Sequence, residues 1–121
     1  MTSPLRVALR DRLTAAMRAH DRQTAGAMRS ILAALENAEA VPVTAHDAPV
    51  ATSEHIAGAS TGLGAAEAAR RVLSPDDERA VVEREIAELR SSAAALATAG
   101  QHERSTELVR IAETVEAVVP G

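Results

Sequence analysis

From Met17 to Glu39 the chain reads MRAHDRQTAGAMRSILAALENAE. One apolar period closes before His20, a second opens after Asp21, and the second runs out at Glu36-Asn-Ala-Glu39. Asp21 stands where a carboxylate can accept hydrogen bonds from the free backbone N–H groups of the turn that follows. Behind it Ala25, Met28, Ile31, Leu32 and Leu35 recur at helical spacing, which predicts a helix over 22–39. With only one or two residues between the two periods, the chain must fold back as an antiparallel hairpin or bend sharply.

Working outward, Ser3 followed by Pro4 reads as an N-cap with proline at the first helical position. Leu5, Leu9, Leu13, Ala16 and Met17 form the stripe of a helix over 4–19. Downstream, Ser74-Pro-Asp-Asp77 combines a capping serine, a helix-starting proline and carboxylates at the positive end of a helix dipole. The helix it opens, over 75–98, gathers Val82, Ile86, Leu89, Ala93 and Leu96 within about 80° of arc. Gly100 supplies a left-handed C-terminal cap. A last helix, over 102–118, turns Leu108, Ile111, Ala112, Val115 and Val119 inward before Pro120 stops it. The expected fold is therefore all-α: four helices in two helical hairpins, joined by a long flexible loop over 41–73. In that loop Pro42, Pro49, Gly58, Gly62 and Gly64 lie among Ala, Ser, Thr and His without a sustained period, as in a disordered insertion. Ala65 to Arg71 has the composition of a short helix.

A length of 121 residues fits a single domain with a modest core. The chain has no Phe, Tyr, Trp or Cys, so Leu, Ile, Val, Met and Ala must build that core, and thiolate or disulfide chemistry is excluded. The abundant Ala makes thin helices that bury little surface, so marginal stability, or stabilisation by a partner, is expected. No apolar run reaches the roughly 18 to 20 residues that span a bilayer. Arg6, Arg10, Asp11 and Arg12 interrupt any signal-peptide core. A cytoplasmic location with no membrane contact is the expectation.

Catalytic machinery is not legible in the sequence. His46, Asp47, Glu54 and His55 lack the spacing of a preorganised metal site. The run from Gly58 to Gly64 lacks the Lys-Ser/Thr of a phosphate loop. Asp76, Asp77 and Glu78 are accounted for by the helix dipole. His20 and His102 fall at helix ends, where a capping or solvated role suffices. No catalytic, cofactor or metal residue is assigned, and no cofactor is expected.

Charge is the more informative quantity. The net charge is −4, yet residues 1–40 carry six Arg against four acidic residues, and residues 74–121 five Arg against ten. Such halves can meet different partners. All 13 basic residues are Arg, which suits forked contacts to phosphate or carboxylate and also fits a genome-wide bias toward Arg and Ala. Arg6 and Arg10 share a flank of the first helix, Arg18 lies on its outer face, and Arg22 and Arg29 follow on the second. These five are the candidate contacts for RNA phosphates or a partner; the alternative is a solvated face, partly neutralised by Asp11, Asp21 and Glu36. Arg12 falls at the edge of the apolar stripe, where a guanidinium snorkels. Without an aromatic residue there is no platform for base stacking.

Met17-Arg-Ala-His-Asp21, followed by Met28-Arg-Ser-Ile-Leu-Ala-Ala-Leu-Glu-Asn-Ala-Glu39, resembles the N-terminal hairpin of the GatB/YqeY (YqeY-like) family. Leu73-Ser-Pro-Asp-Asp77, Glu85-Ile86, Ala99-Gly100 and Val118-Val119-Pro120 resemble its later helices, in the family's order. The resemblance implies a relative of the tail of the B subunit of glutamine-dependent aspartyl/glutamyl-tRNA amidotransferase. That tail helps hold tRNA, while the chemistry lies in other domains. It further implies a noncatalytic accessory associated with tRNA or an amidotransferase complex. The family label is carbon-nitrogen ligase activity with glutamine as amido-N-donor. Against the family pattern this is a short form, lacking the second helical domain, and Glu85-Ile-Ala-Glu-Leu-Arg90 is mixed in charge where a basic run is usual. The alternative reading is a helical protein-interaction or self-association module, a homo-oligomer included, with no RNA role.

Overall fold

The computed structural model describes residues 3–40 and 72–120. They form four α-helices, with no strand among the described residues: α1 (Pro4–Arg18), α2 (Arg22–Ala40), α3 (Pro75–Thr98) and α4 (His102–Glu116). Helix α1 packs on α2 and α3 on α4, and α2 also packs on α3, joining the two hairpins. The all-α, double-hairpin architecture expected from the sequence is the one observed. The cluster His46, Asp47, Glu54 and His55, the glycine run and the short helix expected at Ala65 to Arg71 lie outside the described residues. Among the described residues no helix is long and apolar enough to cross a membrane.

Three of the four helix starts are fixed by side chains. Ser3 Oγ accepts the Arg6 N–H at 3.1 Å ahead of Pro4. Ser74 and Asp77 form a reciprocal capping box: Ser74 Oγ accepts the Asp77 N–H at 3.0 Å, and Asp77 Oδ2 accepts the Ser74 N–H at 3.1 Å. Asp21 accepts the Thr24 N–H at 3.1 Å and the Thr24 hydroxyl at 2.7 Å. Helix α4 starts at Gln101 without a side-chain cap.

Both hairpins turn through the same backbone motif. The His20 N–H donates to the Met17 carbonyl at 3.1 Å, and the Asp21 N–H to that of Ala16 at 2.8 Å. In the second hairpin the Gly100 N–H donates to Ala97 at 3.0 Å and the Gln101 N–H to Leu96 at 2.8 Å. This pairing of a three-back and a five-back bond is the Schellman closure, which needs a left-handed residue just beyond the helix. Gly100 (φ 83°) meets that need without a Cβ, whereas His20 (φ 58°) meets it with a full side chain.

Leu5, Leu9, Met28, Ile31, Leu35, Val82, Ile86, Ile111 and Val115 form the centre of one core that draws on all four helices. Leu73, placed by sequence at the end of the loop, is buried in it, as is Val81, which lay outside the expected seam. Met17 departs from the expected stripe. Ala16 takes the buried position, and Met17, about 100° further round, is 51% exposed. Helix α4 ends at Glu116, two residues before the expected boundary, because the N–H groups of Val118 and Val119 bond three residues back, to Val115 and Glu116. Pro120 disfavours an α conformation at Val119 and leaves this tighter 3₁₀ spacing as the exit.

Candidate nucleic-acid interface

The five arginines singled out from the sequence occupy two environments. Arg6 is a clamp. Its Nη2 lies 2.6 Å from Glu39 Oε2 on α2, its Nε lies 2.9 Å from Glu78 Oε2 on α3, and its side chain is only 12% exposed. Burial disfavours the guanidinium charge, but hydrogen bonds to Glu78 and Glu39 outweigh it and raise the Arg6 pKa above its ordinary value. Glu78, buried at the first turn of α3, therefore serves Arg6 as well as the helix dipole. Arg10, one turn along α1, is exposed and lines the same recess as Glu39 and Glu78.

Arg18, Arg22 and Arg29 differ from Arg6 and, like Arg10, are unpaired among the described residues. All three are exposed, and among the described residues none has a hydrogen bond or ion pair through its side chain. Arg22 and Arg29 line a groove at the bend of the first hairpin together with Ala16, Met17, His20, Asp21 and Ala25. Arg18, in the last turn of α1, stands outside that lining, where its charge complements the negative end of the helix dipole. The groove has an apolar floor from Ala16, Ala25 and the half-exposed Met17, and its walls carry Arg22, Arg29 and the imidazole of His20. Arg12 is exposed, as a snorkelling side chain at the stripe's edge would be.

The anion at this bend is already committed. Asp21 caps α2 through Thr24 and also lies 3.3 Å from Arg110 Nη2 on α4, an arginine that Glu107 holds at 2.5 Å. The Thr24 hydrogen bonds, with a smaller contribution from Arg110, hold the Asp21 carboxyl below the usual carboxylate range. With Asp21 occupied in this way, Arg22 and Arg29 keep their donors free. Sequence reasoning missed Arg110, because a contact 89 residues away in the chain leaves no local signal. It also missed the left-handed backbone of His20. A signal for that existed: His20 occupies the place in the first turn that Gly100 occupies in the second.

Among the described residues no group of three or more His, Asp or Glu side chains is placed to hold a metal ion. Several carboxylates have no hydrogen bond or ion pair among the described residues, and two of them share a groove. Glu85 and Glu88 on α3 line a groove with Ala27, Ser30 and Ile31 of α2, Leu89 and Ser92 of α3, and Leu108 of α4. Burial, reinforced by the Glu88 charge and only partly offset by Arg84, pushes the Glu85 carboxyl up. Compared with known proteins, the chain is matched by no family model, no curated protein and no solved structure.

Proposed function

We propose that this chain is a noncatalytic, YqeY-like accessory that holds the phosphate backbone of tRNA, alone or beside an amidotransferase, through Arg18, Arg22 and Arg29. The observation that carries the reading is the contrast among the arginines. Arg6 and Arg110 are consumed by carboxylates, whereas Arg18, Arg22 and Arg29 are exposed, unpaired among the described residues and gathered around one bend; Arg10, Arg12, Arg84 and Arg104 are unpaired as well but lie away from it. A guanidinium with free donors pays little desolvation to meet a phosphate and binds it through two parallel N–H bonds. The groove between Arg22 and Arg29 gives the ribose an apolar floor at Met17. Lacking aromatic side chains, such a surface reads backbone charge and shape rather than base sequence. The proposal assigns the chain no reaction, so the ligase label of the family it resembles would belong to the complex it serves.

The test is a salt titration of tRNA binding followed by fluorescence anisotropy. Affinity should fall linearly on a log–log plot, and each of Arg18→Glu, Arg22→Glu and Arg29→Glu should reduce the slope by roughly one phosphate contact. Arg90→Glu is the control, since that side chain already faces Glu116 at 2.5 Å on the other hairpin. Absence of binding at low salt, or binding indifferent to salt, sinks the reading. A second reading, a helix-docking module without an RNA role, is favoured by one observation: the groove that carries Glu85 and Glu88.

A further inference from the structure

Gly26 is the one glycine inside a helix among the described residues, and nothing in the fold asks for it. Its φ is not in the left-handed region, unlike that of Gly100, and a Cβ built on it meets no atom within 4 Å. The two usual reasons for a glycine, a positive φ and close packing, are therefore both absent. Glycine there still costs helix stability relative to alanine, because it loses more chain freedom on folding. A cost with no return inside the chain points to something that approaches from outside.

The surroundings of Gly26 define what approaches. On a helix the surface neighbours of residue 26 are residues 22, 23, 29 and 30, here Arg22, Gln23, Arg29 and Ser30. All four are exposed, all carry hydrogen-bond donors, and none has a hydrogen bond or ion pair through its side chain among the described residues. The absent side chain thus leaves a dimple in the exposed face of α2, ringed by donors and by no carboxylate. Asp21, the acid next in sequence, is occupied by Thr24 and Arg110. Arg10, Arg12, Arg84 and Arg104 are also unpaired among the described residues, but none of them flanks a helical glycine.

We infer that this dimple seats a phosphate of the RNA backbone, with Arg22 and Arg29 closing on it from opposite ends of roughly 10 Å of helix axis and Gln23 and Ser30 donating from one flank. The inference rests on the proposed tRNA reading and deepens it: the strand crosses α2 at Gly26 as well as lying along the groove at the bend. Without a Cβ beneath it the phosphate sits closer to the helix, where both guanidinium groups reach it in forked pairs and less water screens them. Ser30 also borders the groove that carries Glu85 and Glu88. Like charge there turns the strand away from that flank and toward the arginines.

Gly26→Ala and Gly26→Leu, made in the full chain, test it through two measurements, urea unfolding and tRNA anisotropy at low salt. Gly26→Ala should raise the urea midpoint and yet weaken tRNA binding by about threefold or more, and Gly26→Leu should weaken it by at least about tenfold. Ala33→Leu, on the same exposed face about one turn beyond Arg29, should change the affinity by less than about twofold. Parent-like affinity in both Gly26 variants, with Arg22→Glu and Arg29→Glu still losing affinity, overturns the phosphate seat and leaves the tRNA reading standing. An equal loss in Ala33→Leu also overturns it, since added bulk anywhere on that face would then suffice. So does a lower urea midpoint for Gly26→Ala, because the glycine would then be serving the fold. No binding by the parent chain at low salt overturns both readings.

Discussion

The two hairpins solve one backbone problem with different chemistry. Each closes with the same pair of backward hydrogen bonds and the same left-handed residue. The second does so at the lower conformational cost, with Gly100 in the turn and no side-chain cap on Gln101. The first accepts a strained histidine and offsets it with the Asp21 cap, which Arg110 of the other hairpin then braces. Strain retained where a relaxed alternative exists in the same molecule points to a use for the side chain. Here that side chain lines the cationic groove. The hairpins also differ in charge: residues 1–40 carry six Arg against four acidic residues, and residues 74–121 five Arg against ten.

The largest expected effect tests what couples them. Arg6→Ala should destabilise the fold by about 3 kcal/mol in denaturant unfolding, because it leaves the 7%-exposed Glu78 side chain beside Glu39 without a cation. Arg110→Ala, at the other bridge, should cost no more than about 1 kcal/mol, since that side chain is 48% exposed and its pair is solvent-screened. Equal losses would mean that the two bridges are energetically alike and that burial of Arg6 is not what matters.

The turns should respond to exchange in opposite directions. Gly100→Ala should cost about 1 kcal/mol from the positive φ alone, as no atom lies within 4 Å of the new Cβ. His20→Gly should gain up to about 1 kcal/mol, by relieving the same penalty, and should weaken any ligand that uses the imidazole. If His20→Gly instead destabilises, the histidine is stabilising its turn and the strain argument fails. The caps offer a matching exchange. Asp21→Ala should lose about 1 kcal/mol, while Gln101→Asp should gain a similar or smaller amount by giving α4 the cap it lacks.

The sequence made the helices legible because caps, prolines and apolar periods are local. Ser3-Pro4 and Ser74-Pro75 start α1 and α3 where expected, and Gly100 closes α3. What stayed hidden depends on partners far along the chain. Nothing local distinguishes Arg6 from Arg10, yet Glu39 and Glu78 take one and leave the other exposed. Nor does a wheel of α1 alone show that Ala16 outcompetes Met17 for the interior, because the wheel does not show how α2 crosses it. The candidate site was therefore half legible: its residue types were visible, and which of them remain free was decided by packing.

The smallest effect is also the one that separates the hairpins by sign. Asp21 has a depressed folded pKa, so its contribution is present above the unfolded value of about 3.9 and is lost as pH falls through the folded pKa. Glu85 has a raised one, so its contribution is complete below the unfolded value of about 4.3 and is lost as pH rises through the folded pKa. Glu85→Gln should accordingly be more stable than the parent at neutral pH, by no more than about 0.5 kcal/mol, and equal to it below about pH 4. Asp21→Asn should do the reverse, being less stable at neutral pH and converging with the parent in acid. Denaturation midpoints followed from about pH 3 to 7 at low protein concentration measure both slopes. Slopes of the same sign would remove the electrostatic contrast between the hairpins.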